Sequence, residues 1–159
     1  MSLAELHLST SYHKGRDDIA SEFYLPCMKR AMTYDRAVGF FRSTIFTVAW
    51  PSLRDFVERG ATMRVLCSHV LAEADVEALE EGYAARADAT LAAHFVEEVR
   101  SLIQDPVLER PARLLAALVA NGTLSLKIAV LREADRVRSV GRIFHDKVGV
   151  FRDGDGNCV

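Results

Sequence analysis

What this sequence lacks narrows its reading first. Its three cysteines, Cys27, Cys67 and Cys158, are an odd number, lie far apart and form no Cys-x-x-Cys pair. That argues against a disulfide framework and against a zinc knuckle, and makes a reduced, cytoplasmic setting the expectation. No apolar run reaches the roughly 18–20 residues of a membrane span. The N-terminal Met1-Ser2-Leu3-Ala4-Glu5-Leu6-His7 has no basic region leading into an apolar core, so neither a span nor a secretory leader is expected. A formal net charge of −2 leaves no general basic field, so any grip on a nucleic acid must come from a local patch. His7, His13, His69 and His94 stand in no metal-ligand spacing, and no metal or cofactor is expected. Internal repeats and low-complexity segments are missing too.

What is present is globular: 50% hydrophobic and 26% charged residues over 159 positions, enough for one domain with a real core. After a polar stretch to about residue 16, Asp17 or Asp18 caps an expected helix from Ile19 to about Thr33, interrupted at Pro26. Arg36 to Phe41 reads as a short buried strand. A helix capped by Ser43 follows, broken or restarted at Pro51 and closed at Gly60. Thr62 to Ser68 is a second buried strand, so the pattern becomes strand–helix–strand, the unit of a parallel α/β sheet.

Further along, a short helix is expected from Ala72 to Glu81, ended near Gly82. A long one runs from Arg86 to Gln104 with Leu91, Phe95, Val99, Leu102 and Ile103 on one face. Another covers Val107 to Ala120, with Leu108, Leu114, Leu115, Leu118 and Val119 inward. Thr123 to Leu131 alternates as a strand with Leu124, Leu126, Ile128 and Val130 on one face. Residues 132–139 form a charged loop. Gly154-Asp155-Gly156-Asn157 signals a hairpin turn, so Cys158-Val159 starts a return strand, and the chain reads as a C-terminally truncated piece of a longer protein.

Just before that turn lies Phe144-His145-Asp146-Lys147-Val148-Gly149-Val150-Phe151-Arg152-Asp153. Read as one strand from Arg142 to Asp153, it puts Ile143, His145, Lys147, Gly149 and Phe151 on a common face. An imidazole beside a fixed ammonium suits attack on a phosphate: one group supplies the nucleophile and the other holds an anionic oxygen. Gly149 leaves room for a substrate against the backbone. Arg132, Arg136, Arg138 and Arg142 make the preceding segment basic. It would touch a nucleic-acid backbone, or, with Glu133 and Asp135 interleaved, form a solvated loop.

Residues 144–151, with Asp153, Gly156 and Asn157, resemble the His-x-Lys…Asp motif of the phospholipase D superfamily, and in particular the nuclease-type domains fused to Snf2-like and other superfamily II helicases. The Asp follows one place later than in the usual spacing. Val38-Gly39-Phe40-Phe41-Arg42-Ser43 resembles the first-strand signature of those domains, and Gly60 with Met63-Arg64-Val65-Leu66 their second strand. The resemblance implies an α/β fold: a phospholipase D-like sandwich with a mixed, largely parallel central sheet flanked by helices.

It implies a metal-independent phosphodiesterase acting on nucleic acid, DNA first, through a phosphohistidine. His145 is then nucleophile or general acid, Lys147 and Gly149 face the phosphate with Arg142 nearby, and Asp153 orients neighbouring backbone or a histidine. Two histidines must face one phosphate. With a single motif, the second copy lies either beyond this sequence or in a partner chain across a two-fold axis, and the homodimer is the expectation. The setting implied is a helicase-linked or restriction-type protein, with the motor in the same longer chain. The competing reading is a catalytically silent DNA-binding or dimerisation module. Phospholipid hydrolysis shares the chemistry but finds no membrane-seeking segment here.

Overall fold

The computed structural model describes residues 2–104, 110–130 and 144–159. A four-stranded mixed sheet in the order β3-β2-β1-β4 forms its centre, built from β1 (Thr33–Val38), β2 (Thr62–Ser68), β3 (Leu124–Ala129) and β4 (Val148–Arg152). The first three strands are parallel, and β4 runs antiparallel to β1 along the other edge. The helices are α1 (Leu25–Met28), led by a wide-turned stretch at Ala20–Tyr24, then α2 (Ile45–Glu58), α3 (Glu73–Arg86), α4 (Ala89–Gln104) and α5 (Pro111–Ala120). Among the described residues no helix is long and apolar enough to cross a membrane.

The sheet's two faces differ sharply. The register aligns Tyr34, Met63, Leu124 and Phe151 across one row, then Arg36, Val65, Leu126 and Gly149 across the next. That face carries Tyr34, Met63, Val65, Cys67, Leu124, Leu126 and Phe151 into the core, against Phe46, Leu53 and Phe56 of α2 and Leu114, Leu118 and Val119 of α5. The opposite face shows Arg64, Leu66, Lys127, Val148 and Arg152 to solvent. Both parallel crossovers step the same way across the sheet, and crossovers share one hand, so their helices land on one side. Helices on both faces, as a sandwich requires, are therefore not found among the described residues. On the open face Asp35 draws Arg64 and Arg152 to 2.6 Å each, tying β2 and β4 to β1.

Several elements depart from expectation for identifiable reasons. Instead of a helix to Thr33, the helical stretch ends at Met28 and β1 begins at Thr33, three residues before the expected strand start. Pro26 falls where that helical run changes character: the wide-turned part ends at Tyr24 and regular α-helix begins at Leu25. Pro51 neither breaks nor restarts α2, which runs through it while Trp50, Leu53 and Phe56 hold its inner side in the core. Thr44 rather than Ser43 occupies the cap position of α2, without a side-chain cap bond. Gly60 does close that helix, at φ +70°, with Gly60 N–H to Val57 O at 2.9 Å and Ala61 N–H to Phe56 O at 3.1 Å.

Gly82 does not stop α3, which continues to Arg86. A Cβ there would meet the Ala116 carbonyl oxygen at 2.6 Å and Val119 Cβ at 2.9 Å, so the glycine lets α3 and α5 pack closely. Asp88 starts α4 by accepting from Thr90 N–H at 2.8 Å. Leu91, expected inward, is exposed, as are Ile128 and Val130 beyond the reach of the helical layer. The expectations for Val107, Leu108 and residues 132–139 lie outside the described residues, as does the side chain of Ile103. At the far end Phe151 and Val159 exchange backbone hydrogen bonds of 2.8 and 3.1 Å, so the return strand does begin there.

Replacing Gly82 with alanine is expected to lower unfolding free energy by about 1–3 kcal/mol through overpacking against backbone. Urea titration measures this, and an unchanged midpoint would refute the close-approach account.

Candidate active site

The parallel strands β1 and β2 end side by side, and the chain entering β4 crosses that end. In open α/β sheets ligands bind outside the carboxyl ends of the strands. Here the crossing is made possible by Gly39, which is buried immediately after β1. A Cβ at this position would stand 3.0 Å from both Cα and Nδ1 of His145 and 3.2 Å from the Phe144 carbonyl. The Gly39 carbonyl also accepts from Ser68 N–H at 3.4 Å, which ties the end of β2 to the same point.

β4 begins at Val148, so His145 and Lys147 precede the strand instead of lying within it. They nevertheless turn together: Lys147 Nζ stands 2.9 Å from His145 Nε2, and both residues are exposed. An ammonium only donates, so Nε2 is the lone-pair nitrogen and the ring proton sits on Nδ1. The exposed ring of Phe40 meets the imidazole edge-on, with centroids 5.6 Å apart. Gly149 is the next residue on this face. A Cβ there would lie 3.2 Å from Arg36 Nη1 and 3.4 Å from the Tyr34 hydroxyl.

Asp153 stands elsewhere. Eight positions beyond His145 along an extended chain, it is buried past the other end of β4. It accepts from Leu3 N–H at 2.8 Å, Ser2 Oγ at 3.0 Å, Asp155 N–H at 3.0 Å, and Asn157 N–H and Nδ2 at 2.9 Å each. Of the two roles left to it by sequence, these contacts are the orienting of neighbouring backbone. They do not reach His145. Loss of hydration pushes its carboxyl up, but the bonds from Asn157, Leu3 and Ser2 outweigh this and hold it far below the usual carboxylate range. Arg142 lies outside the described residues.

No family model, curated protein or solved structure matches this chain.

The arrangement therefore speaks through its own chemistry. Among the described residues no three His, Cys, Asp or Glu side chains gather so as to hold a metal ion. The pair at 145 and 147 offers a nucleophilic nitrogen and a cation at one point. Two neighbours are hidden in the sequence: Arg36 inside a buried apolar strand, and Phe40 inside a strand signature. A charged residue inside an otherwise apolar strand was the available signal for the first.

Gly39→Ala is expected to push the 144–147 backbone away and break the Nε2–Nζ contact. Nitrogen-detected NMR of the histidines reads this as a shift from a single Nδ1–H tautomer to a mixture; an unaltered spectrum would remove Gly39 from the site. Acid stability gives an independent check on the carboxylates. The Arg64 hydrogen bond, helped by Arg152 and opposed by partial burial, holds Asp35 down to about 2, and Asp153 is depressed as well. With folded values below the unfolded one of about 3.9, their stabilisation is complete above that pH and drains away as pH falls from about 4 toward 2. Urea midpoints between pH 5 and pH 2 (roughly that span) should fall less steeply for Asp35→Asn than for the parent chain; parallel slopes would count against the assignment.

Proposed function

We propose that this chain is a metal-independent phosphodiesterase module, a nuclease acting on DNA through a phosphohistidine. In this reading it belongs to a helicase-linked or restriction-type protein of the reducing cytoplasm. The observation that carries this reading is the exposed His145–Lys147 pair, 2.9 Å apart over Gly39 at the carboxyl end of the parallel strands. It also gives the likeness to the phospholipase D superfamily a spatial basis, because the two stretches most like that family, residues 38–43 and 144–151, meet at this crossing.

The chemistry follows from charge. A phosphodiester oxygen competes for the Lys147 ammonium, and its arrival frees the Nε2 lone pair in front of phosphorus. Nitrogen–phosphorus bond formation expels an alkoxide, which takes a proton from a second imidazole acting as general acid. Water then attacks phosphorus, gives up its proton to that imidazole and releases Nε2. A second copy of His145, brought in by a two-fold homodimer, is the simplest source of the acid. The complete α/β sandwich would place a further layer on the open face that shows Leu66 and Val148.

Cleavage of fluorescent DNA by the purified chain should persist in EDTA. His145→Ala should lower it by roughly 10³-fold or more, and Lys147→Ala by about 10²–10³. Cleavage unaffected by His145→Ala would end the proposal. DNA binding without cleavage in the parent chain would turn the reading to a silent binding module.

A further inference from the structure

Arg36 is the one cation on the helix-covered face of β1, directly opposite Gly149. It is half-buried, yet among the described residues only burial and the hydroxyls of Tyr34 and Tyr24 act on its charge, and no carboxylate does. Nη1 donates to Tyr24 Oη at 2.7 Å, and the guanidinium lies 5.3 Å from the centre of that ring. Burial pushes the Tyr34 hydroxyl up to about 12, so that neighbour is a neutral phenol. A guanidinium has five donors in a fixed fork, and bonds to the two phenols of Tyr24 and Tyr34 leave most of them unspent. Burying a cation without a counter-charge is costly, and proteins ordinarily place a carboxylate beside it. Asp35, next in sequence, points to the other face and is taken by Arg64 and Arg152.

The guanidinium's neighbour on the exposed edge is Gly149, whose lack of a side chain lets Arg36 Nη1 and the Tyr34 ring lie against its backbone. Lys147 comes two residues before Gly149 in the chain, a backbone span of at most roughly 7 Å. That step is comparable with the distance between successive phosphates of an extended nucleic-acid strand. We propose that Arg36 binds the phosphate next to the one held by Lys147, so that the site takes a single polynucleotide strand with at least two consecutive phosphates. Tyr24 steers the fork, and Gly149 gives it room against the edge strand. This rests on the phosphodiesterase reading for the identity of the reacting phosphate, but binding can be measured without turnover.

The test compares two probes on the full chain: a short end-labelled single-stranded oligonucleotide and bis(p-nitrophenyl) phosphate, which has one phosphate only. Arg36→Gln should weaken oligonucleotide binding by anisotropy about tenfold, the worth of one charge-assisted contact. It should also reduce the salt slope of binding by about one. Turnover of the small diester should stay within about twofold in the same variant, and Arg36→Lys should recover part of the affinity. Gly149→Ala, whose Cβ would crowd Nη1 at 3.2 Å, should weaken oligonucleotide binding without removing any charge. Unchanged oligonucleotide affinity in Arg36→Gln overturns the proposal. So does equal loss on both probes, which would put Arg36 on the reacting phosphate. If the parent chain cleaves neither probe, the phosphodiesterase reading fails alone, and the anisotropy comparison still decides the role of Arg36.

Discussion

The close passage of the 144–147 backbone over Gly39 is the constraint on which the candidate site depends. Strands β1 and β2 bring their carboxyl ends to one place because a helical crossover joins them in parallel. β4 then enters from the opposite direction, so its first residues arrive where β1 finishes. Only a residue without Cβ lets the two backbones approach within 3.0 Å of a would-be methyl. The imidazole and the amine meet there as a result of topology, and their mutual contact is an outcome of where the strand begins.

The same topology explains the lopsided sheet. Because both crossovers step in one direction, the apolar rows gather on one side, where α2 and α5 cover them, and the other side keeps its charges. Asp35 with Arg64 and Arg152 is a partly exposed network that links three strands, so its worth lies in register more than in strength. Arg36 and Asp35 are neighbours in sequence and face opposite ways, as strand geometry demands. Asp35 is spent on holding the sheet together, while no acid among the described residues answers Arg36.

Much of this was legible in the sequence. The bounds of β2 and the closing role of Gly60 follow from apolar patterning and from the one residue type that tolerates a positive φ. The pairing of His145 with Lys147 follows from a spacing of two. Pro51 and Gly82 misled because their local preferences were overruled by packing: α2 keeps Trp50, Leu53 and Phe56 in the core despite a lost hydrogen bond, and α3 needs Gly82 for its neighbour. Sequence leaves Asp153 either neighbouring backbone or a histidine to orient, because all lie in one short stretch, and its bonds go to backbone. An extended chain carries Asp153 and His145 apart, by roughly 25 Å over eight residues. Arg36 stays hidden because its significance is that no described residue supplies a counter-charge, and only folded neighbours reveal that.

The knot at Asp153 fastens Ser2 and Leu3 to the final hairpin, although 151 and 150 positions separate them along the chain. Anything joined ahead of Ser2 therefore emerges beside that hairpin, at the sheet end remote from the imidazole. A bulky fusion on that side would leave the reactive edge clear but would strain the clasp that secures β4, and with it the strand that delivers His145.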